Sequence, residues 1–108
     1  MSNQLITQLS TIRDRVNNLY IDDEKAKEFE SLISQSIEII QKINNPHDDF
    51  FESRRRVALN DLEKDLGRYT DKYWQSTAKT DKISEFSRAR NNVNSAIGGI
   101  LSSFKNYR

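Results

Sequence analysis

Apolar residues recur along this chain at alternating steps of three and four, and they do so in four separate stretches. In the first, Leu5, Leu9, Ile12, Val16 and Leu19 step by 4, 3, 4 and 3. That spacing keeps one stripe on one side of an α-helix and leaves the other sides polar. In the second, from about Asp23 to Asn44, Ala26, Phe29, Ile33, Ile37, Ile40 and Ile43 share a face that Leu32 and Ile39 widen. The third stripe reads Phe51, Ala58 or Leu59, Leu62, Leu66, Tyr69 and Tyr73. The fourth reads Ile83, Phe86, Val93, Ile97, Ile100 and Phe104, with Leu101 alongside. A stripe of this width is stable only when it is covered, and four helices can cover one another.

The punctuation agrees with the stripes. Asp22, Asp23 and Glu24 suit the first turn of the second helix, where unpaired amides and the helix dipole present positive potential. Asn45 is expected to cap the third helix, with Pro46 in its first position, where a missing amide costs nothing. Gln75 to Lys79 carry little periodicity and read as a connection, with Thr80 as the cap of the last helix. The expected fold is therefore all-α, an up-down antiparallel four-helix bundle spanning residues 1–108 as one domain. Its third and fourth helices are the longest, each about 28 residues and roughly 42 Å at 1.5 Å per residue.

Composition excludes alternatives. Three Gly and one Pro in 108 residues are too few for the turns of a β-sandwich or barrel. The absence of Cys removes disulfides, thiolate catalysis and thiolate-bound zinc. No apolar run approaches a membrane span and no basic-then-apolar leader precedes the first stripe, so the expected location is the cytoplasm. A net charge of only +1 and a quarter of the chain in Leu, Ile, Val and Phe favour a folded domain over disorder.

That small net charge hides an asymmetry. Residues 1–53 hold 5 basic and 10 acidic side chains, whereas residues 54–108 hold 12 and 6. Arg54, Arg55 and Arg56 form a triplet, and beyond Glu85 the chain has no acid, only Arg88, Arg90, Lys105 and Arg108 among Asn91, Asn92, Asn94 and Ser95. Arg, Asn and Ser on one helix face can grip phosphate oxygens. The competing reading has the acidic hairpin neutralise the basic one along the bundle rims. Between copies, the same asymmetry could drive self-association.

Residues suited to catalysis or metal binding are sparse. His47 is the single histidine, beside Asp48, Asp49 and Glu52, and no second His completes a common metal set. The carboxylate pairs Glu24 with Glu28 and Asp61 with Asp65 are expected on solvated faces rather than in a cleft. Gly98 and Gly99 are unusual: two helical glycines cost roughly 1 kcal/mol each relative to Ala, so close packing within the bundle, a kink or a docked partner is expected there. Trp74, near Arg68 and Lys72, is a candidate for base stacking or for capping the bundle end.

Trp74, Gln75 and Ser76, at the end of the third helix, resemble the W-x-G turn of WxG-type helical proteins secreted by Gram-positive bacteria. The match covers those three residues, with Ser in place of Gly, and this chain has two further helices. In size and basic helical face the chain is also similar to the compact small subunits of CRISPR surveillance complexes.

The expected function is a non-catalytic helical interaction module, or a small subunit of a larger assembly, that binds a protein partner or itself through a polar, basic helix face. The contact residues expected are Arg54, Arg55, Arg56, Arg88, Arg90, Asn91, Asn92 and Ser95, with Trp74 as a possible stacking residue. The alternative is a sequence-independent RNA- or DNA-backbone binder; a small secreted or immunity-type protein is the third reading. No metal, cofactor, small-molecule substrate or membrane span is expected.

Overall fold

A computed structural model describes residues 3–19, 23–43 and 49–107, and in them it places four α-helices and no strand. These are α1 (Asn3–Asn17), α2 (Asp23–Lys42), α3 (Asp49–Gln75) and α4 (Lys79–Tyr107). Each packs against the next in the chain, and α1 closes the ring on α4. Side-chain pairs give the directions: Arg15 meets Glu28, Arg55 meets Ile40, Arg88 meets Asp65 and Asn94 meets Asn17. A second contact fixes the sense along three seams, Trp74 with Glu30, Arg68 with Glu85 and Gly98 with Arg13: one number rises as the other falls, so the bundle is up-down and antiparallel. α3 and α4, at 27 and 29 residues, run most of the 47 Å long axis.

The stripes become the core. Leu9, Ile12, Val16 and Leu19 of the first segment are buried with Phe29, Leu32, Ile33, Ile40 and Ile43 of the second. Phe51, Ala58, Leu62, Tyr69 and Tyr73 of α3 meet Phe86, Val93, Ile97 and Ile100 of α4. Toward the end of the bundle where α3 turns into α4, Phe29 packs edge-on against Tyr69 and against Phe86, each with ring centroids 5.0 Å apart. Three helices are thereby held by one side chain, and α2 touches α4 across the diagonal.

Three expectations are corrected. Ile83 is 39% exposed, not core. Asn17, the last residue of α1, bonds to Asn94, so the first turns of α4 run beyond α1 and lack its cover. Second, α4 begins at Lys79, with the Lys82 amide donating to the Ala78 carbonyl, so Thr80 lies inside the helix rather than capping it. Third, Asp65 is buried instead of solvated, at 4% exposure, while its i−4 neighbour Asp61 is exposed as expected. The Asn45 cap, Pro46 and His47, and the Phe104 side chain, lie outside the described residues.

The glycines differ in what surrounds them. A Cβ at Gly67 would meet nothing within 4 Å, whereas one at Gly98 would come within 3.1 Å of Arg13 Nη2, which reaches across from α1. Gly98 therefore admits a side chain of the neighbouring helix, as close packing requires. Gly67→Ala is expected to raise stability by about 1 kcal/mol, the helix-propensity gain alone. Gly98→Ala should gain less, because the guanidinium must shift by a few tenths of an ångström. Thermal unfolding of both variants checks the difference.

Candidate functional site

The residues singled out in the sequence do not form one continuous basic face. Arg88 turns toward the α3–α4 seam. Its Nη1 donates to Asp65 Oδ1 at 2.7 Å, and its Nε and Nη2 donate to the Glu85 carboxylate. The hydrogen bond to Glu85 holds the guanidinium firmly charged, burial works against that, and the bond to Asp65 adds to it. Arg68 stands 3.8 Å from the same Glu85. One turn beyond Asp65, the Tyr69 hydroxyl is buried without a hydrogen-bond partner among the described atoms. Burial pushes its phenol well above the ordinary range, with Tyr73, Glu30 and Glu85 adding to the shift.

Arg55 is also occupied. It donates through Nε to the Ile40 carbonyl at 3.0 Å and through Nη2 to the Gln41 carbonyl at 2.8 Å, with Glu52 beside Nη1. These carbonyls belong to the last turn of α2, where they have no helical partner, so Arg55 caps that helix from α3. Arg55→Ala is expected to cost about 1–2 kcal/mol by leaving those acceptors unpaired. Arg56→Ala, at an exposed position, should fall within about 0.5 kcal/mol of wild type in the same denaturant titration.

Trp74 closes the bundle end. Its Nε1–H donates to Glu30 Oε1 at 3.0 Å, its ring meets Tyr73 edge-on, and Lys82 Nζ lies 5.7 Å from its centroid. A residue held on three sides is a clasp between α2 and α3. Arg90 lies over the Phe86 ring at 5.4 Å. The ion pairs named so far lie within one hairpin or the other, as do those of Arg15 and Lys25 with Glu28. The two hairpins are joined by Trp74 to Glu30, Arg55 to the α2 carbonyls and Asn94 to Asn17.

What remains open is a groove between α3 and α4. Its floor is Ala58, Ala96, Gly99 and Ile100. Arg54, Val57 and Asp61 form the α3 wall, and Asn92 and Ser95 the α4 wall. Four of these residues, Arg54, Asn92, Ser95 and Gly99, stand out in the sequence; Asn91 is exposed beside the groove without lining it. A Cβ at Gly99 would meet nothing within 4 Å, so the backbone itself forms part of the floor. Sequence reasoning missed Val57 and Phe50, which are 58% and 63% exposed. Their signal was present: Phe50, Arg54, Val57 and Asp61 step by 4, 3 and 4, a second stripe on α3 beside the core stripe. Arg54 lies over the Phe50 ring at 5.0 Å. Neither Arg54 nor Asp61 has an ion-pair partner among the described residues.

A second groove, between α1 and α2, is lined by Thr7, Thr11, Leu32, Gln35 and Ile39, with Arg15 at its edge. Its cation is already paired with Glu28. Among the described residues no cluster of three acidic, His or Cys side chains could hold a metal ion, and no helix is long and apolar enough to cross a membrane. No family model, curated protein or solved structure matches the chain.

Proposed function

We propose that this chain is a non-catalytic helical interaction module whose contact surface is the open α3–α4 groove. One observation carries the reading. The groove brings exposed apolar surface, an unpaired cation and an unpaired anion together over a floor stripped of side chain at Gly99. Val57 in the α3 wall and Phe50 beyond it on the same stripe make an exposed apolar strip bordered by polar residues, which supports a surface covered by protein. The buried carboxylate of Asp65 supports the same reading, because it is bound to Arg88 rather than aimed into a cleft.

Binding of an RNA or DNA backbone draws less support. Arg88 and Arg55 are engaged inside the fold, which leaves Arg54 and Arg56 on different sides of α3 and Arg90 over the Phe86 ring on α4, and Asp61 would face any phosphate seated in the groove. Fluorescence anisotropy with a labelled single strand at low and moderate salt should show no saturable binding.

Photocrosslinking in the native host tests the module directly. A photoreactive residue at Ser95 is expected to give discrete protein adducts, and the same residue at exposed Glu38 on α2 is expected to give none. Equal labelling from both positions, or none from Ser95, would remove the groove as a contact surface.

A further inference from the structure

We infer that the occupant of the groove is α3 of a second copy of this chain, docked antiparallel about a two-fold axis beside Val57. The inference rests on the interaction-module reading and names its partner. Arg54 and Asp61 lie seven residues apart, roughly 10 Å along the helix, too far for them to pair within one copy. When two α3 helices run antiparallel with the axis midway between them, position 54 of each falls opposite position 61 of the other. Arg54 of one copy then meets Asp61 of the second copy, and the reverse pair forms at the same time. Val57 flanks the axis beside its own counterpart, half a residue off it, and Phe50 comes opposite position 65 of the second copy, one residue past its exposed Lys64.

This register is self-complementary in charge and in apolar surface, as an isologous interface requires. A parallel or head-to-tail arrangement lacks the double pairing. On the other side of the groove, Gly99 and Ser95 leave room for the incoming helix, since no side chain rises from Gly99. Covering Val57 and Phe50, the two most exposed large apolar residues described, supplies the drive, and the charge pairs fix the register.

Sedimentation velocity from micromolar to millimolar concentration tests the proposal, with three protein samples and one mixture. Wild type is expected to shift from monomer toward dimer. R54E and D61R alone each place like charges opposite one another twice, and each should weaken association by about tenfold or more. Mixed in equal amounts, the two variants should dimerise again. The D61R copy keeps Arg54, which faces the Asp61 kept by the R54E copy, and the two introduced side chains, opposite in sign, face each other at the second pair. Circular dichroism on the same samples reads helix content, which these exposed substitutions should leave unchanged. A wild type that stays monomeric throughout, variants that associate as wild type does, or a mixture that remains monomeric while wild type dimerises would each overturn the inference. A monomeric protein that still yields Ser95 adducts with another protein would refute self-docking and leave the module reading standing; loss of both would refute the two together.

Discussion

Replacing Phe29 by Ala is expected to lower stability by about 3–5 kcal/mol, the range for emptying a large aromatic site in a packed core. The position is unusual in what it joins. Phe29 is fully buried on α2 and meets Tyr69 of α3 and Phe86 of α4 edge-on. The cavity would open where three helices converge, so no single helix could move in to fill it without pulling away from another. Against a total stability of roughly 5–15 kcal/mol for a domain of this kind, the variant stands close to unfolding at physiological temperature. Phe29→Leu keeps most of the apolar volume and loses the two ring contacts, each worth about 0.5–1.5 kcal/mol beyond burial. It should therefore cost about 1–2 kcal/mol. Urea titration with unchanged m values measures both losses. A Phe29→Ala loss below about 2 kcal/mol would mean that the aromatic cluster repacks and is not the keystone of the bundle.

Phe29 is legible in the sequence because its neighbours on the stripe are all apolar. Ala26, Ile33, Ile40 and Ile43 repeat around it, and a helix of any orientation must hide that face. The same logic yields the antiparallel ring and the long third and fourth helices. It fails where burial depends on a partner distant in the sequence. Asp65 occupies the seam between Leu62 and Tyr69, a position that periodicity alone marks as inward. Hydropathy favours Leu66 for that place, since a carboxylate is rarely buried alone. The structure turns Asp65 in and leaves Leu66 half-buried because Arg88, 23 residues later, brings the opposite charge. Ser36 is a milder case: it is buried because its hydroxyl donates to the Leu32 carbonyl one turn back. Ala89 is buried where no large side chain signals a core position.

The groove is half legible for a related reason. Charge and polarity mark Arg54, Asn92 and Ser95, and cost in a helix marks Gly99. Val57 and Phe50 escape notice because a sequence stripe does not say which of two adjacent stripes a bundle will cover. With α2 and α4 as its only packing neighbours among the described helices, α3 has one face that the fold leaves bare, and the Phe50-to-Asp61 stripe occupies it. The basic character of the second half is plain from composition. Its meaning changes once Arg88 and Arg55 are tied into the fold, one to a buried carboxylate and one to the end of α2.

Arg88→Ala should accordingly behave as a core mutation and not as a surface charge deletion. Removing the guanidinium strands Asp65 at 4% exposure without a cation, beside Glu85 at 13%, which keeps only the half-exposed Arg68 at 3.8 Å. Breaking a buried ion pair in this way costs about 3–5 kcal/mol, and partial access of water through the 30% exposed Arg88 position favours the lower end. A loss of about 3 kcal/mol corresponds to a fall in Tm of roughly 10–20 °C for a domain of this size. Arg90→Ala, which removes a ring contact but no described ion pair, should cost about 1 kcal/mol or less. Replacing both partners, Asp65→Leu with Arg88→Met, removes the stranded charge as well as its counter-ion and should recover most of the loss. The double-mutant cycle is then expected to give a coupling energy of about 2 kcal/mol or more. A coupling below about 0.5 kcal/mol would reduce Asp65–Arg88 to an ordinary surface pair. The consequence for function is direct: weakened binding of any partner by Arg88→Ala reports loss of the bundle, and only substitutions at Arg54 and Asp61 read the groove itself.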